Sequence, residues 1–341
     1  MRHGTYRGAA GCGTTSAAMT RRVQLFHHPA CDAHDPGPEH PESTRRLPAL
    51  RDALAADAGL SSRVDARTAA PASEEDLLRV HTPAHVARIR GAVRDAARDA
   101  VPVWVDEDTA VSAGSWDAAL AAAGCALAAA EAVARGVAPA AFALSRPPGH
   151  HASAGRAMGF CLFNNVAIAV RHLQARGAAE RVLVVDWDAH HGNGTEDVFR
   201  EDPSVYFLSL HLSPHFPGTG GEAERGAGPG HGTTRNVPLP HGTGGVEYRT
   251  RFEAALDEAL AAFSPDLAIV SSGFDALADD PEGGLRLSPS DLHALTRALV
   301  ERLPARARGR VVGVLEGGYS VEAIGPGLVA VLRALAGLPP S

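Results

Sequence analysis

The chain has no lysine: all 32 of its basic residues are arginine. A Walker-type phosphate loop needs the lysine of GK[ST], so the glycine-rich run GPGHGTTRNVPLP (228–240) is no such site and reads as a turn-rich loop between strands. Cysteine is scarce too. Cys12, Cys31, Cys125 and Cys161 form no CxxC pair and no regular spacing, which argues against a disulfide framework or a thiolate zinc site and fits a reducing cytoplasm. No apolar run approaches the roughly 18 residues of a membrane span, and the N-terminus lacks the apolar stretch of a secretory signal. Neither GxSxG nor HExxH occurs, which leaves serine hydrolases and thermolysin-like enzymes without support. With a net charge of -7, the molecule lacks the positive field that draws a protein to nucleic acid or anionic lipid; a cationic substrate suits it better.

Residues 1–18 are small, polar and without period, and are expected to be a disordered leader or the product of a mis-assigned start codon; residues 19–341 are expected to form one domain. From VQLFHH (23–28) onward, short β-branched runs alternate with longer Ala/Leu/Arg segments of helical period. This predicts an α/β fold with a mainly parallel sheet between helices. The clearest strands are 140–145, 181–187, 205–210, 266–272 and 310–316; the helices include 116–135, 162–176, 247–263 and 289–303. The Ala-rich stretch 118–135 reads as a packed surface helix. Each strand is followed by a polar segment: RPPGHH, DAHHGNG, HLSPHFPGTGG, GFDALADD and GGYS. Open α/β sheets bind ligands beyond the carboxyl ends of their strands, so these five segments converge on one site.

Asp188 and His190 stand two apart where a strand runs out and can present an oxygen and a nitrogen to one ion, with Asp275 adding a carboxylate from another strand end. Three protein ligands leave a position open for water, the arrangement of a catalytic metal. Zinc is the first expectation, with ferrous iron or cobalt as alternatives. The adjacent His150 and His151 supply acid-base capacity, Asp186 and Asn193 can orient them, and Tyr319 after Gly317 and Gly318 can donate to an oxyanion. His81 and His85 are four apart, but Thr82 and Pro83 between them read as an N-cap and a first helical residue, which makes the pair structural. His27, His28, His34 and His40 look like a metal cluster by count alone.

The segments HPACDAHDPGPEHPE, RPPGHHA, GFCLFNN, VDWDAHHGNGTEDVF, SLH, FPGTG, SSGFDA and LEGGYS, in this order across about residues 23–330, resemble the arginase/histone deacetylase superfamily, specifically its class II-like deacetylases and acetylpolyamine amidohydrolases. The resemblance implies a three-layer α/β/α sandwich, Asp188, His190 and Asp275 as zinc ligands, and His151 as general base and acid. It further implies His150 paired with Asp186, Asn193 where many members have Asp, and Tyr319 polarising the scissile carbonyl. Phe160 and Phe216 would line an acyl-amine channel, with Gly159, Gly317 and Glu282 also in substrate contact. A structural K+ or Na+ would sit at Asp186, Asp188, His190, Ser209 and Leu210, and a second near Phe199, Asp202 and Val205. Arg46 matches an arginine behind the active site, although a surface salt bridge fits it nearly as well. Glu282, where acetyl-lysine deacetylases mostly have Leu, implies a small cationic acetylamine as substrate. A protein acetyl-lysine deacetylase, a biosynthetic amide deacetylase and a non-catalytic acyl-lysine binder are the alternatives, and self-association stays open.

Overall fold

The computed structural model describes residue 1, residues 21–307 and residues 309–341. Apart from Met1, the expected leader lies outside the described residues. The strands are β1 (Val23–His27), β2 (Val64–Thr68), β3 (Val103–Trp104), β4 (Ala110–Val111), β5 (Ala140–Leu144), β6 (Val182–Asp186), β7 (Val205–Leu212), β8 (Thr234–Leu239), β9 (Leu267–Ser272) and β10 (Val311–Leu315). Eight of them form one sheet in the order β2-β1-β5-β10-β9-β6-β7-β8, and every pairing in it is parallel. The strands β3 and β4 form a separate antiparallel ribbon.

Sequence explains the central strands directly. The runs AAFAL, VLVVD, LAIVSS and VVGVL are buried at every position, because helices cover both faces of the sheet and no polar face is needed. Alternate residues serve opposite layers: Phe142, Leu183, Val185 and Val270 pack to one side, while Ala141, Ala143, Val184 and Ile269 pack to the other. The helices are α1 (Arg46–Ala56), α2 (Ala58–Ser61), α3 (Glu74–Leu78), α4 (Pro83–Asp99), α5 (Ser115–Ala134), α6 (Asn165–Ala175), α7 (Asn193–Phe199), α8 (Gly245–Ala262), α9 (Pro289–Arg302) and α10 (Val321–Leu335). One layer holds α1, α8, α9 and α10, and the opposite layer holds α4, α5 and α6, which completes the three-layer sandwich. Thr82 caps α4 by accepting from the His85 amide, with Pro83 in the first turn, as the sequence suggests.

Three expectations need correction. Part of the 228–240 loop is strand β8, which pairs with β7; Pro238 is tolerated because β8 is the sheet edge, where a missing N–H breaks no ladder. The Ala-rich helix α5 is a core helix and not a surface one, since it is buried nearly all round. It is also long and apolar enough by composition to cross a membrane, contrary to the reading that no run approaches that length, yet 72% of its apolar window is buried inside this fold. Alanine explains both errors: it is apolar enough to bury yet too small to look like a core residue in a pattern.

Close packing of α5 depends on Gly124. A Cβ there would lie 2.1 Å from the Ala70 carbonyl oxygen and 2.9 Å from the Ala72 amide nitrogen. Alanine gains about 1 kcal/mol of helix propensity over glycine, but overpacking against fixed backbone costs about 1–3 kcal/mol. Gly124→Ala is therefore expected to lower Tm, whereas Gly91→Ala on α4, with nothing within 4 Å of the new methyl, is expected to raise it. Thermal unfolding of the two variants side by side checks this.

Candidate active site

Beyond Asp186, the last residue of β6, the chain turns so that backbone amides and carboxylates satisfy each other. The Asp188 amide donates to Asp186 Oδ1 at 3.1 Å, the Ala189 amide to Asp275 Oδ1 at 2.7 Å and the Gly317 amide to Asp188 Oδ2 at 2.8 Å. These bonds set three carboxylates, all fully buried, at fixed positions between the ends of β6, β9 and β10. His190 Nδ1 lies 3.1 Å from both Asp188 Oδ1 and Asp275 Oδ2. The two oxygens and the nitrogen are all within 4.8 Å of one another, so Asp188, His190 and Asp275 can hold a metal ion. Glycine makes room for this cluster: a Cβ on Gly273 would come 2.1 Å from Asp188 Oδ2, and one on Gly317 would come 2.1 Å from Asp275 Oδ2.

The electrostatics of the cluster call for a cation. Burial opposes a charge on His190, but its bonds to Asp188 and Asp275 outweigh burial and raise its pKa well above 6.5. Burial and the neighbouring Asp188 push Asp275 up to about 7. Burial opposes the charge on Asp188 too, but the imidazoles of His150 and His190 hold it well below the usual carboxylate range, so without a metal the protons sit on His190 and in part on Asp275, and a divalent ion would displace them. The borderline donor set of two carboxylates and one imidazole fits such an ion.

Two histidines lie beside the cluster with ring centroids 4.0 Å apart. His150 Nδ1 is 3.0 Å from Asp186 Oδ2, and His151 Nδ1 is 2.7 Å from Asn193 Oδ1. Burial works to lower the pKa of His150, yet Asp188 and Asp186 raise it to about 10. His151 is lowered well below 6.5 by burial and by its neighbours His150 and His190. The environments thus separate the pair into a charged and a neutral imidazole, the split that assigns distinct proton-transfer tasks. The Asn193 amide nitrogen faces Met158 Sδ at 3.4 Å, which turns its oxygen toward His151; that ring then carries its proton on Nδ1 and keeps a lone pair on Nε2.

Tyr319 enters from the end of β10. Its amide and that of Ser320 donate to Asp280 Oδ2 at 2.6 and 3.0 Å. Burial and the Asp275 carboxylate hold its hydroxyl pKa well above 10, so it remains a donor. A cavity of about 210 Å3 is lined by Tyr319, His151, His190, Gly159, Phe160, Phe216, Glu282, Asp108 and His215. Phe160 stands edge-on to Tyr319 at 5.6 Å, and Phe216 edge-on to His151 at 5.2 Å. Phe160 is held at φ +66°, a conformation costly for a side chain with a Cβ, by bonds from the Gly159 amide to Asp108 and from its own amide to Thr109.

Most of the residues expected at the site therefore meet there, with some differences. Gly317, expected at the substrate, lies behind the Asp188 and Asp275 carboxylates and does not line the cavity, because its missing side chain is needed for those carboxylates. Arg46 is fully buried and makes no surface salt bridge: it donates to the carbonyls of Gly318 and Glu316 and to Glu42 Oε1, and its guanidinium carbon is 5.1 Å from the Tyr319 ring centroid. Asp186 and Ser209 are register partners on β6 and β7, and Leu210 follows, its carbonyl accepting from Tyr248 at 3.1 Å. The carbonyls of Phe199 and Asp202, in the second expected cation site, accept from Asp202 and Val205. His81 and His85 bond to Ser153, Asn164 and Leu162. His28 caps a turn, His34 bonds Ser115, and His40 bonds the Asp108 carbonyl, so the N-terminal histidines do not converge.

Residue reasoning overlooked His215, which stacks on His190 at 4.9 Å and donates to the Glu282 carbonyl, and Glu316, which accepts from the amides of Gly149 and His150. Burial raises Glu316 to about 7. Both lie inside segments that follow or end strands, HLSPHFPGTGG and LEGGYS, and position there was the available signal.

The histone deacetylase domain model matches residues 40–335. The chain is similar to the histone deacetylase-like amidohydrolase of Pseudomonas aeruginosa, with 39% identity over 94% of this chain and 87% of that one. It is also similar to a probable deacetylase of Archaeoglobus fulgidus, 39% identical over 89% of this chain and 83% of that one. The chloroplastic histone deacetylase 14 of Arabidopsis thaliana is 37% identical over 87% of this chain and 73% of that one. Among solved structures, the HDA15 HD domain superposes with a TM-score of 0.86 at 34% identity, covering 92% of this chain and 90% of that one.

A ligand that binds only the folded state raises Tm in proportion to the logarithm of its concentration over Kd. Zinc added to chelator-stripped protein is expected to raise Tm and to bind with one-to-one stoichiometry at this cluster. Asp275→Ala is expected to lose both, as read by thermal unfolding and elemental analysis.

Proposed function

The chain belongs to the histone deacetylase family, and from that premise we propose that it is a zinc-dependent amide hydrolase that deacetylates a small cationic amine, foremost an acetylated polyamine. One observation carries the reaction: a metal-capable Asp188/His190/Asp275 cluster, two oriented histidines and a tyrosine hydroxyl meet around one cavity. The matched segment extends to a proposal for the whole: residues 19–341 act as one deacetylase domain.

In this reading Asp188, His190 and Asp275 hold the ion, which when bound supplies Lewis acidity to a water and to the amide carbonyl. His151, neutral through burial and held by Asn193, takes a proton from the attacking water on Nε2 and returns it to the leaving amine. His150, kept cationic against Asp186, adds positive charge beside the developing oxyanion. Tyr319 keeps its proton and donates it as a hydrogen bond to that oxygen. Phe160 and Phe216 flank the methylene stem of the amine. A monovalent cation at Asp186, Asp188, His190, Ser209 and Leu210 is proposed as a structural companion. The completeness of this set opposes a non-catalytic acyl-lysine binder.

Glu282 supports the choice of substrate. It lines the cavity, and its amide is fixed by Asp280 Oδ1 at 3.1 Å and its carbonyl by His215 at 3.1 Å. A carboxylate carried on that fixed backbone attracts a second ammonium on the substrate, most strongly where water is partly excluded.

His151→Ala and Tyr319→Phe are each expected to lower kcat by about 10²- to 10⁴-fold with Tm little changed. Near-normal turnover in both would overturn the mechanism. Glu282→Leu is expected to shift the ratio of kcat/KM for N-acetylputrescine over an acetyl-lysine peptide toward the peptide. A wild-type preference for the peptide, unchanged in that variant, would instead assign protein acetyl-lysine as substrate.

A further inference from the structure

Beside the catalytic cavity lies a larger groove of about 550 Å3, lined by the 36–41 loop together with Pro102 and Trp104. We propose that this groove is a platform for the distal ammonium of the acylated amine, so that the protein selects acetylated triamines over acetylated diamines; the proposal rests on the deacetylase reading above.

His40 joins the two spaces. Its ring packs edge-on to Phe160, a wall of the catalytic cavity, at 4.6 Å between centroids, and it lies 6.2 Å from the Trp104 ring. His40 Nε2 is 3.2 Å from the carbonyl of Asp108, another residue of that cavity. His40 thus stands between Phe160 of the cavity and Trp104 of the groove. Trp104 is 58% exposed, unusual for the largest apolar side chain, and the β3–β4 ribbon holds it by pairing Trp104 with Ala110.

The groove's chemistry suits one kind of occupant. Four of its eight lining residues are Pro36, Pro38, Pro41 and Pro102, which have no N–H. The Gly37 amide is already bonded to Asp35 Oδ1, and the His40 amide to the Gly37 carbonyl. A peptide backbone needs donors for its carbonyls, and this wall offers few. A polymethylene chain needs none and packs on proline rings. Its ammonium has an indole face, which binds cations through the ring quadrupole, and the Glu39 carboxylate. The positive charge of Arg156 is answered at 3.1 Å by Asp106, two residues along the chain from Trp104. Glu282 lines the cavity and Glu39 the groove, so each space offers one carboxylate, matching the two free nitrogens of a monoacetylated triamine.

The test is the ratio of kcat/KM for N8-acetylspermidine over N-acetylputrescine. Trp104→Ala is expected to lower this ratio about three- to tenfold, the size of a cation–π contact at a partly exposed site, and Trp104→Phe to retain most of it. Glu39→Gln is expected to lower it as well. A ratio within twofold of wild type in Trp104→Ala overturns the platform. Binding of unacetylated spermidine by calorimetry provides a readout that does not need turnover: weaker binding in Trp104→Ala than in wild type supports the platform, and equal binding overturns it. If the wild type hydrolyses only an acetyl-lysine peptide, the polyamine reading fails, and the spermidine titration still decides the platform separately.

Discussion

Everything at the carboxyl edge of the sheet answers to one constraint: Asp186, Asp188, Asp275 and Glu316 are carboxylates with no solvent exposure, gathered where the three strands β6, β9 and β10 end. Each buried ion costs on the order of several kcal/mol unless it is hydrogen-bonded and neutralised. The fold provides for this first with backbone, aiming the amides of Asp188, Ala189, Gly317, Gly149 and His150 at carboxylate oxygens. It then adds imidazole, with His150 on Asp186 and His190 between Asp188 and Asp275. What is left over is a demand for positive charge at the centre of Asp188, His190 and Asp275. The metal affinity proposed for the site is thus the residue of a burial problem that backbone alone does not solve.

A second buried ion network ties the surrounding loops to this edge. Glu42 sits fully buried between Arg46 and Arg146, at 2.8 Å and 2.5 Å, and their positive charges hold its pKa at about 2 although burial pushes the other way. Arg46 continues to the carbonyls of Glu316 and Gly318, and Arg146 to those of Cys31 and His34. The loop carrying His40 and the loop carrying Tyr319 are therefore clamped to the same three side chains. Removing one member would strand the others as buried charges, which is far costlier than never having had the network. This coupling explains how side chains from loops remote in sequence keep fixed distances around the proposed reaction centre.

Much of this was legible in the sequence, for a physical reason. Strands buried on both faces announce themselves as continuous β-branched runs, and the parallel sheet fixes where their carboxyl ends must gather; Asp188, His190, His151 and Tyr319 could be placed together from that alone. Resemblance supplied what spacing could not, namely the expectations that His150 and His151 divide their tasks and that Glu282 favours a cationic amine. Two kinds of feature stayed hidden. Alanine in α5 disguised a core helix as a surface one, and the edge strand β8, with a proline and glycine-rich flanks, looked like a loop. Glu316, Asp280 and Arg146 were missed because their importance lies in satisfying other groups, a property of distance and burial that no local pattern records.

The same division separates chemistry from selectivity. The groups that would act on the amide are fixed by bonds to buried neighbours: His151 by Asn193, His150 by Asp186, and the Tyr319 backbone by Asp280. The groups at the cavity and the groove beside it are held by backbone instead, Glu282 through its own amide and carbonyl and Trp104 through a two-residue ribbon, with no hydrogen bond to either side chain among the described residues. A change in such a side chain alters what is recognised without stranding a buried charge. Substitution at the buried ring around Asp188 has no such freedom, because each member there satisfies at least one other. On the proposed reading, selectivity can therefore drift while the chemistry stays put, with the identity of the acylated amine set by the rim and not by the metal cluster.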